Sequence, residues 1–354
     1  MFGGERRWDP LTGTGGRTFQ MARIKWLGRR FHRGVAEPLL RGPRGRILFI
    51  GPFHGGAGGI ERLARTFATW AESSGFTATC VFQDGEAGES AYSLRSTENV
   101  RVLAGDNWGS ALETDYDFVY LVPPGLDADR WRPRLERVRG PKVMLDIFDA
   151  KRRFGAVADV LHWEAPREER PDRPTIVATP DPRLTIPDGP ATAEEGFSLT
   201  VFTPYGDVKG HRHIRTFLDG GDRHLVWCYD PLTFSRRGPR WREEILARVK
   251  EVRHPRLVAL EAPSLAEIYR LYRACGGYVC FSESEGLGWA ILDALALGKP
   301  IAARRVGICR ALPGFRATED FSDPTFVTYP LPPMGGFEEL FRGVPGALGQ
   351  TTST

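Results

Sequence analysis

From residue 46 onward, short apolar runs alternate with amphipathic stretches. Arg46–Gly51, Phe76–Gln83, Val100–Leu103, Asp117–Val122 and Lys142–Ile147 are brief, largely uncharged runs, the pattern of buried strands. Asp159–Trp163 and Thr175–Ala178 read as later strands or edges. Between the first two strands, Ile60, Leu63, Ala64, Phe67 and Ala68 recur at helical spacing and give one apolar face. Segments 87–96 and 128–138 are weaker helices. A second series follows, with strands at Phe197–Phe202, Arg223–Cys228, Leu257–Leu260 and Gly277–Phe281. Trp241–Glu251 reads as a helix. Ser264-Leu-Ala-Glu267 is a capping box that opens another, carrying Ile268, Leu271 and Tyr272 inward. The last helix shows Leu287, Ile291, Ala294 and Leu295 on one face, then Gly298 and Pro300 as its stop.

Strand and helix in alternation predict an α/β protein with parallel sheets. Residues 180–196 are rich in Pro, Asp, Gly, Ala and Glu and have no periodicity, which marks a linker. The expected organisation is a leader (1–45), a first domain (46–185), a second domain (196–330) and a tail (331–354). No convincing long final helix is visible in the tail.

A chain of 354 residues with 41% hydrophobic content has material for two cores. No apolar run approaches the ~20 residues of a membrane span. The five cysteines (Cys80, Cys228, Cys275, Cys280 and Cys309) form no Cys-x-x-Cys pair, so neither zinc nor a disulfide framework is indicated, and a reducing cytoplasm fits. The net charge of +4 is unevenly placed. Residues 1–46 hold eleven Lys and Arg against three Asp and Glu, a net +8, so the remainder sums to −4. The folded body therefore shows no basic face readable for nucleic acid. Residues 1–20 read as disordered, with Met21 as an alternative start. Residues 19–35 interleave Phe19, Ile24, Trp26, Leu27 and Phe31 with five Arg and Lys, which suits peripheral contact with the inner membrane face. A solvated tail, or a helix packed on the first domain, fits the same pattern. The segment does not read as a secretory signal, because it has no apolar core segment and no small-residue cleavage site.

Candidate chemistry concentrates in Phe281–Pro300. Glu285, Trp289 and Asp293 follow one another at i, i+4 and i+8, which sets the two carboxylates about 12 Å apart along a helix rising ~1.5 Å per residue. The backbone N–H groups of Gly286, Leu287 and Gly288 lie near the helix start, where an anion is favoured. An anion site flanked by carboxylates suits a nucleotide-sugar.

This stretch resembles the Glu-x7-Glu signature of GT-B glycosyltransferases, in particular the retaining family 4. Glu285-Gly286-Leu287-Gly288 matches the family's Glu-Gly-Phe-Gly turn, and Asp293 stands where a second Glu is usual. Gly58-Gly59-Ile60-Glu61 resembles the family's Gly-Gly-x-Glu turn, and Lys209-Gly210 its Lys-Gly. The family's Arg falls near Pro204, so that cation is missing, and Arg212 is a candidate substitute. The dehydrogenase fingerprint Gly-x-Gly-x-x-Gly is absent. The resemblance covers about residues 46–312 and implies two doubly wound Rossmann-like domains facing across a cleft.

It further implies a retaining, metal-independent, hexosyltransferase-like enzyme with no cofactor. Such an enzyme moves a sugar from a nucleotide-diphosphate donor to a saccharide, lipid-linked or small-molecule acceptor. Glu285 and Lys209 are the expected catalytic pair. Gly58, Gly59, Gly286, Leu287, Gly288, Asp293 and Arg212 are expected at the donor, with Asp293 on the ribose. His54 and His162 are candidates for the acceptor side of the cleft, each with a structural role as its alternative. Two other functions stay open: a GT-B nucleotide-sugar epimerase, and a non-catalytic GT-B binding subunit.

Overall fold

The computed structural model describes residues 44–52, 58–83, 94–105, 108–147, 150–165, 167, 172–190, 192, 194–231 and 239–344. His54, the 19–35 segment and most of 87–96 lie outside these residues. The first sheet comprises β1 (Arg46–Gly51), β2 (Thr77–Phe82), β3 (Val100–Ala104), β4 (Phe118–Leu121), β5 (Lys142–Leu145), β6 (Val160–Trp163) and β7 (Thr175–Val177). Its order is β3-β2-β1-β4-β5-β6-β7, and every pairing is parallel. The second sheet comprises β8 (Glu195–Val201), β9 (His224–Tyr229), β10 (Leu257–Glu261), β11 (Cys275–Cys280) and β12 (Ile301–Ala303). Its order is β10-β9-β8-β11-β12, also all parallel.

Both sheets are doubly wound. The chain starts in the middle, builds outward on one side, then crosses to the other. That reversal leaves a crevice beyond the strand ends, at β1/β4 in the first sheet and β8/β11 in the second, where α/β folds bind ligands.

Helices cover both faces, which is why the strands are near-continuous apolar runs. On the first sheet, α1 (Gly59–Ser73) packs one face through Leu63, Phe67 and Trp70, while α2 (Ala128–Leu135) and α3 (Ala150–Phe154) pack the other through Trp131, Leu135 and Phe154. On the second, α4 (His213–Asp219) and α5 (Pro239–Glu251) cover one face. The other is covered by α6 (Leu265–Ala274) and α7 (Trp289–Ala296). The capping box forms: Ser264 Oγ accepts from the Glu267 N–H, and Glu267 Oε2 accepts from the Ser264 N–H at 2.7 Å.

The last described residues hold a short helix and no long one. α8 (Gly336–Gly343) is short, yet it crosses back and completes the first core. Phe337, Leu340 and Phe341, at i, i+3 and i+4, form its inner stripe. Phe337 meets Phe67 edge-on at 5.1 Å, and Phe341 meets Phe76 at 4.9 Å. Two turns suffice because three large apolar side chains lie on one face. Among the described residues, no helix is long and apolar enough to cross a membrane.

Candidate functional site

The loops after β8 and β11 meet at the switch point of the second sheet. Glu283 N donates to Val208 O at 2.8 Å, which fixes the two loops side by side. Gly210, at φ +66°, takes a left-handed conformation, and a Cβ there would lie 2.0 Å from Phe281 O. Only glycine lets the loops approach this closely. The approach brings Lys209 Nζ to 2.7 Å from Glu285 Oε1, across 76 residues of sequence. The Lys209 side chain is largely buried and lies 5.3 Å from the Tyr205 ring centre. Burial pulls its ammonium down. The Glu285 carboxylate, Tyr205 and the hydrogen bond outweigh this, so the group sits above the ordinary lysine value and is charged at neutral pH.

α7 begins at Trp289, so Glu285 lies in the turn before the helix. Gly288 caps it at φ +82°. Among the described residues, the N–H groups of Gly286, Leu287 and Gly288 donate to no backbone acceptor. Leu287 itself is buried, and its carbonyl accepts from Ile308 N at 2.8 Å. The helix ends in a Schellman motif: Gly298 N donates to Leu295 O, and Lys299 N to Ala294 O at 2.8 Å. This confirms Gly298, at φ +68°, as the stop.

Asp293 is not placed as expected. It is buried, and its two oxygens accept from Arg62 Nη1 and Nη2 of α1, each at 2.5 Å. Tyr269 OH donates to the same carboxylate at 3.1 Å. Arg62 Nε also donates to Thr185 Oγ1 at 3.3 Å, and its guanidinium lies 4.6 Å from the Trp289 ring centre. Asp293 therefore joins the two lobes, and both of its oxygens accept from protein donors. The shorter Asp side chain suits this role, since a bidentate pair fixes the separation of the two helices.

Gly58 and Gly59 open α1 at the switch point of the first sheet. A Cβ on Gly58 would lie 2.6 Å from Glu61 Oε2, and one on Gly59 would lie 3.1 Å from Trp289 Cδ1. Both glycines permit close approach, but to Glu61 and to the opposite lobe's tryptophan.

Two further candidates have protein partners of their own. Arg212 pairs with Glu283 at an exposed position and does not join the Lys209–Glu285 pair. His162 is fully buried: Tyr120 OH meets its Nδ1 at 2.6 Å, and its Nε2 meets Ala178 O at 2.7 Å. Burial lowers its pKa to about 4, against the partial opposition of the Ala178 hydrogen bond, so it is a neutral part of the core. Glu164, just after β6, is also buried, and desolvation raises it to about 7 despite Arg167. Its neighbour Asp146, after β5, accepts from Trp163 Nε1 at 2.9 Å and from Arg167 Nη1 at 3.4 Å.

Sequence reasoning missed Arg62, Thr185, Tyr269 and Trp289 as one cluster. A signal existed: Asp293 sits on an otherwise apolar helix, and Arg62 beside the apolar stripe of α1. Each buried charge implies a partner.

No protein-family model and no curated protein sequence matches the chain. Solved structures do match its fold. HepE from Anabaena, solved with UDP and glucose, aligns with a TM-score of 0.55 at 16% identity, over 78% of this chain and 87% of that one. An α-glucosyltransferase solved with UDP and a 13-mer DNA gives 0.52 at 12%, over 74% and 79%. Sucrose-phosphate synthase from Thermosynechococcus elongatus gives 0.50 at 14%, over 75% and 82%. With the two doubly wound sheets, these likenesses establish the architecture as GT-B.

Proposed function

We propose that this chain is a glycosyltransferase that moves a sugar from a nucleoside-diphosphate donor to an acceptor hydroxyl with retained anomeric configuration. The carrying observation is the Lys209–Glu285 pair at the β8/β11 switch point, beside the Gly286–Gly288 N–H groups that lead into α7. The neighbours solved with UDP support a uridine donor as the first to try.

In this reading the diphosphate meets the Gly286–Gly288 amides and Lys209. Donors fixed in advance at the leaving group stabilise the charge that grows there as the glycosidic bond breaks. Glu285 orients the donor sugar and holds the Lys209 ammonium in place. The acceptor attacks on the face the diphosphate leaves, and a leaving phosphate oxygen takes the acceptor's proton, so no protein nucleophile is assigned. The reading also assigns no metal. Placement at the cytoplasmic membrane face through residues 19–35, and a saccharide or lipid-linked acceptor, belong to the same proposal.

A second reading, a non-catalytic GT-B binding subunit, is favoured by one observation: Asp293 is committed to Arg62. Calorimetry with UDP, GDP and ADP separates the two. Micromolar binding of one nucleotide, and release of that nucleotide from its sugar ester only when acceptor is present, supports the enzyme. Absence of binding to all three defeats it.

A further inference from the structure

Lys209 and Glu285 neutralise one another, yet a nucleoside diphosphate brings several negative charges. A second cation is therefore needed wherever the phosphates sit. The same end of the second sheet holds one with a buried N–H that has no partner among the described residues.

Arg304 follows the last residue of β12. Its Nε is buried and has no hydrogen-bond partner among the described residues. Its Nη2 lies 3.4 Å from His213 Nε2, and that same nitrogen lies 3.5 Å from Glu283 Oε1. A neutral imidazole nitrogen either donates or accepts. When Nε2 carries a proton it serves Glu283, and Arg304 loses its acceptor. When Nε2 is bare it serves Arg304, and faces Glu283 without a proton between them. Glu283 is also held by Arg212, so the nearest carboxylate is already engaged by another guanidinium.

Packing fixes Arg304 although its hydrogen bonds are incomplete. Its guanidinium carbon lies 5.8 Å from the Phe321 ring centre, and His213 packs on the same ring at 5.4 Å. The loop it starts is tied to the proposed donor site. Gly307, at φ +49°, sits where a Cβ would lie 2.3 Å from Leu287 O and 3.2 Å from the Cβ of Glu285. On the other side, a Cβ on Gly210, next to Lys209, would lie 3.2 Å from His213 Cδ2. Arg304 thus reaches Glu283 of the Phe281–Glu285 turn through His213, and Lys209 reaches Glu285 of the same turn directly.

We propose that Arg304 is a second phosphate-binding cation of this site, which receives the diphosphate of the donor together with Lys209. The assignment rests on the donor reading given above. A guanidinium stays charged at any working pH and donates to phosphate oxygens, and an anion would supply the acceptors that His213 and Glu283 cannot both leave to it.

The test is calorimetric binding of UDP, GDP and ADP to wild type, R304Q, R304K and K209M, with displacement by inorganic pyrophosphate and thermal midpoints for each protein. The expected result is a loss of tenfold or more in nucleotide and pyrophosphate affinity for R304Q at an unchanged midpoint. Wild-type affinity in R304Q overturns the assignment. If K209M then loses binding, the donor reading stands without Arg304. Where R304Q also melts lower, R304K decides. Affinity within threefold of wild type supports a charge role, and a loss equal to that of R304Q overturns it. Wild type binding none of the three nucleotides defeats the donor reading and this assignment together.

Discussion

Arg62 and Asp293 stand 231 positions apart in sequence and meet through two hydrogen bonds of 2.5 Å inside the junction of the two lobes. One comes from α1 of the first lobe, the other from α7 of the second. Thr185 in the crossing segment, Tyr269 on α6 and the Trp289 ring enclose the pair. The relative placement of the lobes is thus set by a polar contact with defined geometry.

Removing one partner leaves the other charge buried. Arg62→Leu or Asp293→Leu is expected to cost about 3–5 kcal/mol, while the double variant recovers most of it. Urea denaturation across this double-mutant cycle measures the coupling. Strict additivity would show that the pair does not act as a unit.

Glu285→Gln keeps the shape of the turn but removes the charge that holds the Lys209 ammonium. Turnover on a UDP-sugar is expected to fall about 10²-fold or more, in line with the loss of a group aimed at the transition state, with the thermal midpoint close to wild type. Full activity in this variant removes Glu285 from the site.

His162 and Glu164 pull the stability in opposite directions with pH. His162 titrates near 4 when folded, below its ordinary 6.5, so the unfolded chain binds the extra proton and stability falls as pH drops through that interval. Glu164 titrates near 7 when folded, above its ordinary 4.5, so its contribution is complete below about 4.5 and is lost as pH rises to about 7. A tenfold change in proton affinity is worth ~1.4 kcal/mol, so each effect reaches about 3 kcal/mol at most. Glu164→Gln is therefore expected to gain stability over wild type as pH rises from 5 to 7.5. Denaturation curves at several pH values read this directly, and a pH-independent difference would refute it.

α8 contributes three large side chains to a core whose strands lie far upstream. Phe337→Ala is expected to cost about 3–5 kcal/mol, the usual range for emptying a buried aromatic site. Loss of amide protection should concentrate in β1, β2 and β4, next to Phe67, Phe76 and Tyr120. Hydrogen exchange checks this. Unaltered protection in those strands would mean that α8 is peripheral.

The sequence by itself determined most of the strands and most of the helices. Their signals are local: uncharged runs bury in parallel sheets, and Ser264, Glu267 and Gly298 act within a few residues of themselves. The turn at Glu285-Gly286-Leu287-Gly288 and the lysine at 209 stood out through a motif resemblance, and the structure sets the two side by side. Only the tertiary structure decided which charges meet. Whether Asp293 faces a ligand or Arg62, whether His162 faces a cleft or Tyr120, and which core α8 completes depend on contacts between residues dozens to hundreds of positions apart. A buried charge announces that it needs a partner; the distance and direction of that partner are fixed when the sheets and helices pack.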